Sequence, residues 1–412
     1  MAESIAAVVV AAGFSQHGGC RQSSPPLGAA PLLGRAVDLL RRAGLTRIVV
    51  VVGQGAPELG PSLNSLGGKP VVNHGHDQGW LSSARRGLGS LGSDIQAAFV
   101  LPATRLLPRP ATLVSVAQVW RAGQAAVAQP CFLGCRGYPL LLNAGLLSAL
   151  AAWRGQGGLG EFLAEQAGPA LEVEVPDQGV LPGREHPQKY KDPRAGWRRG
   201  QVPTPQEVQA LLGPVLGVAP AVRSHGRAVA VVALALGRAL TRAGQILDLE
   251  LLETAALLHD LAKGQPSHAR AGGQTLRRWG WEPVARLVEV HMDLAPLERG
   301  PLSEAEVLYL ADKLVQGEKL TKPQARFQAK LARYVHDPVA SEAIRRRWLN
   351  ALTIQDRIEQ ACGRSLELML AGLVENGFPC QPAAISVPTG PRGGGIPRKP
   401  GSRVVTARAG CG

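Results

Sequence analysis

Three histidines in the second half of the chain fall on apolar faces at helical spacing. His225 shares a face with Val229, Val232 and Leu236, His259 follows Leu252 and Ala255, and His291 follows Val284, Leu287 and Val288. This spacing predicts imidazoles turned inward. Two carboxylates are aimed the same way: Asp260 adjoins His259 after the run Ala255 to Leu258, and Asp312 lies on the stripe of Leu308 and Val315. One histidine on an apolar face is usually a hydrogen-bonded core residue. Three that coincide with two inward acids call for another account, because unpaired buried charge is costly and a bound cation turns the same groups into ligands. Imidazoles mixed with carboxylates suit Fe, Mn, Zn or Ni. Metals bridged by a carboxylate can generate hydroxide and hold a phosphoryl group, so the chemistry expected is hydrolysis of a phosphate ester.

The order His225, then His259-Asp260 in Leu-Leu-His-Asp-Leu-Ala-Lys, then Asp312 in Leu-Ala-Asp-Lys resembles the HD superfamily of metal-dependent phosphohydrolases over about residues 220 to 320. His268, in Ser-His-Ala-Arg-Ala-Gly, and His291, in Glu-Val-His-Met-Asp, match the two extra histidines of members that hold two metals. The resemblance implies two divalent ions on His225, His259, Asp260, His268, His291 and Asp312. It implies catalytic roles for the bridging Asp260 and for Lys263 near the substrate phosphate, and a nucleotide-like ester or anhydride as substrate. A second His-Asp pair, His336-Asp337, is followed by Pro338 and reads as a helix end. Glu304 and Glu306 read as partners of a helix dipole rather than outer groups of the metal site.

In the first half, an apolar run leads into Ala-Ala-Gly-Phe-Ser-x-x-Gly-Gly, a loop whose backbone amides could cradle phosphates. Around it stand Pro26-Leu27-Gly28, Pro31-Leu32-Leu33, Asn73, Gly79, Ser82-Ser83, Gly87-Leu88 and Gly137-Tyr138-Pro139. In this order they resemble the MobA-like nucleotidyltransferases, those acting on molybdenum cofactor in particular, over residues 5 to about 190. The resemblance implies nucleotide contacts at Ala11, Ala12, Gly13, Ser15, Asn73, Gly79, Ser82 and Ser83, with an NTP and Mg as ligands. The departures fall on the chemistry. His17 and Gln22 stand where the family carries Arg and Lys, Thr104 replaces the magnesium aspartate, and Glu185 is the one acid left in Gly183-Arg184-Glu185-His186-Pro187. Losing these clamps should raise the transfer barrier by several kcal/mol, so this domain is expected to be impaired. Arg21 and Arg105 are the candidates for displaced cations, but a bland role is the expected one for both. Gly155-x-Gly157-x-x-Gly160 follows a helical run and reads as a loop, not a dinucleotide fingerprint.

The elements that must carry these residues divide the chain. Apolar runs at residues 5 to 12, Arg47 to Val52 and Ala97 to Leu101 predict strands. Leu32 to Ala43, Ser82 to Leu91 and Ala111 to Ala122 predict helices. This alternation predicts an α/β fold, a Rossmann-like, mainly parallel sheet of nucleotidyltransferase type, in a domain 1–190. After a linker at 191–203, residues 204–375 show helical spacing throughout, with helices expected at Glu207 to Leu216, Ala221 to Ala243, Leu249 to Lys263, Ala269 to Trp279, Glu282 to His291 and Ser303 to Leu314. That predicts an all-α HD domain. The tail 376–412 is basic, rich in Pro and Gly, and expected to be disordered. No internal repeat is visible.

Composition limits the partners. The chain has 412 residues, enough for two or three domains. Its longest apolar runs reach about half the ~18 residues of a membrane span, and its start lacks a basic n-region, so a cytoplasmic protein without membrane partner is expected. Lys plus Arg is 45 against 31 acids, giving +14, yet aromatics are 4% and do not interleave with the basic residues. Nucleic acid is therefore not the expected partner; a nucleotide-like small molecule is. The six cysteines lack a zinc spacing and read as free thiols. Two further readings stay open: an active molybdenum cofactor nucleotidyltransferase with a regulatory HD domain, and a non-enzymatic nucleotide or pterin sensor. Oligomeric state is not legible.

Overall fold

The computed structural model describes residues 4–12, 29–53, 59–75, 78–103, 108–155, 158–181, 200–296, 300–376 and 403–406. It divides into two compact units, one drawn from Met1–Trp197 and Val387–Gly412 with the tripeptide Pro214–Leu216, the other from the rest of Arg198–Ser386.

In the first unit the order is β1 (Ile5–Val10), α1 (Ala29–Arg42), β2 (Arg47–Gly53), α2 (Leu59–Ser65), β3 (Lys69–Asn73), α3 (Trp80–Leu88), β4 (Ala97–Pro102) and α4 (Pro110–Gly123). There follow β5 (Val127–Phe132), β6 (Cys135–Arg136), β7 (Leu140–Asn143), α5 (Ala144–Ala152), α6 (Leu159–Gln166) and β8 (Leu171–Glu174). β1 and β2 are almost wholly β-branched or small and are buried along their length, as parallel strands covered on both faces must be. Alternate residues of the central strands, Ala6, Val8, Val10, Val49, Val51, Ala98 and Val100, pack with Ala84 and Leu88 of α3, Leu146 and Leu150 of α5 and Phe162 of α6. Gly87 lets α3 lie close on the sheet, since a Cβ there would come within 2.5 Å of Val8 and 2.7 Å of Val51.

The sheet order, from one edge, is β3-β2-β1-β4-β7-β5-β8, with β6 paired to β5. All pairings are parallel except those of β7 with β4 and β5 and of β6 with β5. The chain reverses its direction of growth between β1 and β4, which opens a crevice at the carboxyl ends of those strands, where doubly wound sheets take ligands.

In the second unit the helices are α7 (Pro205–Ala210), α8 (Pro220–Arg242), α9 (Leu249–Leu258), α10 (His268–Arg278), α11 (Glu282–Val290) and α12 (Glu304–Leu314). A hairpin of β9 (Val315–Gln316) and β10 (Lys319–Leu320) precedes α13 (Pro323–Arg333), α14 (Pro338–Cys362) and α15 (Leu366–Asn376). Val229, Val232 and Leu236 of α8, Leu252 and Ala255 of α9, Val288 of α11 and Leu308 of α12 are fully buried. α7 starts on a capping box between Thr204 and Glu207, and α12 on one between Ser303 and Glu306.

Two expectations need correcting. The helix expected to run to Lys263 ends at Leu258, and residues 259–263 form turns leading to Gly264, whose φ of +98° suits glycine. The tail expected to be disordered contributes β11 (Arg403–Thr406), which pairs in parallel with β8 at the sheet edge. Its two valines suit a strand, and β8 offers open backbone groups there.

Candidate functional site

The helical unit brings all six predicted ligands together. His225 sits near the start of α8, His259 and Asp260 in the turn after α9, His268 at the start of α10, His291 just past α11, and Asp312 in the last turn of α12. His225, His259, Asp260, His291 and Asp312 are buried. The second turn of α8 can approach the end of α9 because residue 226 is glycine: a Cβ there would stand 2.8 Å from the carbonyl oxygen of Leu257.

Two groups of three share one carboxylate: His225, His259 and Asp260, and Asp260, His268 and His291. Asp260 divides its oxygens between them. Its Oδ2 lies 3.8 Å from Nε2 of His225 and 3.5 Å from Nε2 of His259. Its Oδ1 lies 3.2 Å from Nε2 of His268 and 3.8 Å from Nε2 of His291. Asp312 joins the first group through Oδ1, 3.3 Å from His225 Nε2 and 3.8 Å from His259 Nε2.

The outer nitrogens fix the tautomers. Nδ1 of His225, His259 and His291 lies 2.9, 2.8 and 2.6 Å from the carbonyl oxygens of Gly317, Ala256 and Val288. A carbonyl only accepts, so each Nδ1 donates and each neutral ring turns the Nε2 lone pair toward the carboxylates. Nε2 of His259, His268 and His291 are buried without a hydrogen-bond partner; His268 faces Asp260 at 3.2 Å outside hydrogen-bonding geometry. Lone pairs facing carboxylates repel unless a cation stands between them, and second-contact carbonyls of this kind are the usual support of metal-binding imidazoles. The donor set fits divalent metal ions.

Burial alone would raise the carboxyls of Asp260 and Asp312, but the rings of His259 and His268, when protonated, and the Lys263 ammonium hold Asp260 well below the carboxylate range, and Lys313 and a protonated His225 do the same for Asp312. Cations of either kind, proton or metal, are what these carboxylates call for. Burial and the neighbouring His259 push His291 down to about 4, so it is neutral and able to ligate near neutral pH. For His225 burial pulls downward, but Asp312 and the Gly317 carbonyl outweigh it and raise the ring.

Lys263 Nζ lies 2.5 Å from Asp260 Oδ2, with its side chain half exposed. Two cations at the centre escaped the sequence reading. Lys313, which is buried, lies 2.6 Å from Asp312 Oδ2, and Arg326 donates to the backbone carbonyls of Asp312 in the last turn of α12 and of Val315 in β9. Glu306 pairs with Arg357 and Glu304 accepts from the amide of Asp248, so neither supports a ligand. Asp337 caps α14 through the amide of Ala340, so the second His-Asp pair marks a helix start.

In the first unit, Asn73 ends β3 and donates to Ser82 (2.7 Å) and Ser83 (2.9 Å) of α3 while accepting from the amide of Gly75. These polar groups bind one another and shape the start of α3. Gly79 and Ser82 also line a cavity of about 860 Å³, together with Trp80, Arg85, Pro102, Tyr138 and residues 158–160. Ala11 and Ala12 are buried just past β1. Gly13, Ser15, His17, Arg21, Gln22, Thr104, Arg105 and Glu185 lie outside the described residues, as do 191–199 of the expected linker.

Residues 7–170 match the MobA-like NTP transferase domain and residues 222–316 match the HD domain, so the chain joins one domain of each family. No curated protein matches the chain. Among solved structures it is similar to Rv0371c from Mycobacterium tuberculosis H37Rv in complex with manganese, with 21% identity, 41% of this chain and 86% of that chain covered, and a TM-score of 0.34. It is also similar to a nucleotidyl transferase from Methanothermobacter thermautotroptrophicus, at 22% identity, 39% and 81% coverage and a TM-score of 0.33. A third is the 4-diphosphocytidyl-2C-methyl-D-erythritol synthase from Anaerococcus prevotii, at 11% identity, 48% and 96% coverage and a TM-score of 0.36. No described helix is long and apolar enough to cross a membrane.

Proposed function

We propose that the helical unit is a metal-dependent phosphohydrolase acting on a nucleotide-like phosphate ester or anhydride. The observation that carries this reading is the pair of three-residue groups sharing Asp260, with unpartnered imidazole nitrogens aimed at its two oxygens. Divalent cations held there would supply Lewis acidity, activating water toward phosphorus and drawing charge from the phosphoryl oxygens. The residues do the rest. His225, His259 and Asp312 would hold one cation and His268 and His291 a second, with Asp260 shared between the two groups. Lys263, half exposed beside Asp260, is placed to steady a substrate phosphate.

The first unit would hold a nucleotide-like ligand, an NTP with Mg, in its cavity and transfer poorly, since Thr104 stands where a metal-binding aspartate is expected. A rise in melting temperature with CTP, GTP or ATP without nucleotidyl transfer is the expected result. Turnover to a transfer product would favour an active transferase.

The deciding experiment is metal analysis of the wild type beside His259→Ala and Asp260→Ala, with hydrolysis of a generic phosphodiester on the same samples. The two three-residue groups call for two ions in the wild type, with cleavage lost in both variants. A chelator-treated sample that cleaves as fast as the untreated one overturns the reading.

A further inference from the structure

The ammonium of Lys313 is nearly enclosed, its side chain 4% exposed. Its three protons have three destinations. Nζ lies 2.6 Å from Oδ2 of Asp312 and 3.2 Å from the carbonyl oxygen of His291, and stands 4.4 Å above the ring centre of Tyr309. The first contact bears on the group containing His225 and His259, the second on the residue that supplies a nitrogen to the other group. Asp312 is thus left with Oδ1 alone facing the histidines.

We propose that Lys313 is a positioning residue that reserves Oδ2 of Asp312, so that this carboxylate offers a single oxygen to its cation, while the same ammonium fixes the backbone at His291 beside the second. The inference rests on the reading of this cluster as a cation centre. A carboxylate freed at both oxygens can chelate an ion and fill a position that water or substrate needs; a catalytic site depends on keeping that position open. Lys313 then acts on reactivity through Asp312, without touching substrate.

Cobalt(II) titration tests this, because the visible absorption of the ion weakens as its coordination number rises. Wild type, Lys313→Met, Lys313→Gln and Lys313→Arg are titrated, with melting temperature recorded for each. The glutamine amide can still donate to one of the two acceptors, which keeps a folded variant available if methionine disrupts the site. In Met and Gln variants the expected result is cobalt held no more weakly than in wild type, a weaker visible band, and a kcat on the generic phosphodiester lower by ~10-fold. The arginine variant, which keeps a cationic donor, should restore the band toward that of wild type. A folded Met or Gln variant with an unchanged band, or with cobalt lost and melting temperature lowered together, overturns the role given to Lys313 while the cation centre stands. A wild type that takes up no cobalt overturns the centre itself, and this inference with it.

Discussion

The carbonyl oxygen of Gly317 lies 2.9 Å from Nδ1 of His225, so the turn of a four-strand-residue hairpin decides which nitrogen of that ring is free to ligate. Gly317 has φ +61°, in the left-handed region, where a β-branched residue is strained by ~1–2 kcal/mol. Gly317→Val should relieve that strain by rotating the peptide away from His225. Isothermal titration with Mn(II) should then show the affinity of one ion reduced by ~10-fold and that of the other retained. Equal losses at both ions would contradict the division of ligands given above.

Asp260 is the one residue common to both groups. Asp260→Asn, which keeps the volume and removes the charge, should therefore empty the whole centre. His268→Ala should empty only the group it belongs to, leaving roughly one ion per chain by elemental analysis. A His268→Ala protein that retains the full wild-type complement would show that this histidine is not a ligand.

Gly226 sits where α8 meets the backbone of Leu257, with 2.8 Å available to a Cβ. The obstacle is a carbonyl rather than a flexible side chain, so Gly226→Ala must push the helices apart. Overpacking of this kind costs ~1–3 kcal/mol. Urea unfolding should show the loss, and cation affinity should fall with it because His225 moves with the helix. An alanine variant as stable as wild type would mean that α8 can shift without strain.

Asp293, two residues beyond His291, is gripped by Arg347 through two contacts of 2.6 and 2.7 Å, tying the chain after His291 to α14. The guanidinium holds its carboxyl below the ordinary value against a smaller opposing effect of burial. A carboxyl depressed in the folded state adds stability that is present above its unfolded value, near 3.9, and is lost as pH falls through the folded value. Asp293→Asn should thus lower the melting temperature at pH 7, by an amount that shrinks as pH falls below about 3.9 and through the folded value. Both groups are partly exposed, so the cost at pH 7 should be about 1 kcal/mol or less. A difference that persists at the acid end would assign the effect to packing instead.

Four of the candidate ligands were legible because an apolar stripe runs through or into them: Val229, Val232 and Leu236 for His225, Leu252 and Ala255 for His259, Val284, Leu287 and Val288 for His291, and Leu308 for Asp312. His268 was legible only through the resemblance to HD phosphohydrolases. Lys313 was not, since a lysine in a last helical turn ordinarily faces solvent and favours the dipole. Its burial could have been suspected from its place four residues after Tyr309 and three after Leu310, both buried. The early strands declared themselves by β-branched runs. β5 carries Gln129 and Pro130, and β8 carries Glu172 and Glu174, residues that read as loop or surface. Their burial depends on partners distant in sequence: Arg136 pairs with Glu172 at 2.5 Å, and the amide of Gly134 donates to Glu174. Local pattern cannot reveal such compensation. The end of α9 was misplaced for the converse reason, because Leu261 and Ala262 continue the apolar rhythm after the hydrogen-bonded helix has stopped.

The pairing of Arg403–Thr406 with β8 gives the first unit an unusual assembly schedule. During synthesis an amino-terminal unit ordinarily folds as soon as it emerges. Here one edge of the sheet stays open until about 230 further residues have been made, and the loop closed by that last strand carries the entropic burden of its length. A ribosome paused within the helical unit would therefore hold a nascent sheet with β8 uncapped, the state in which strand exchange between neighbouring chains is easiest.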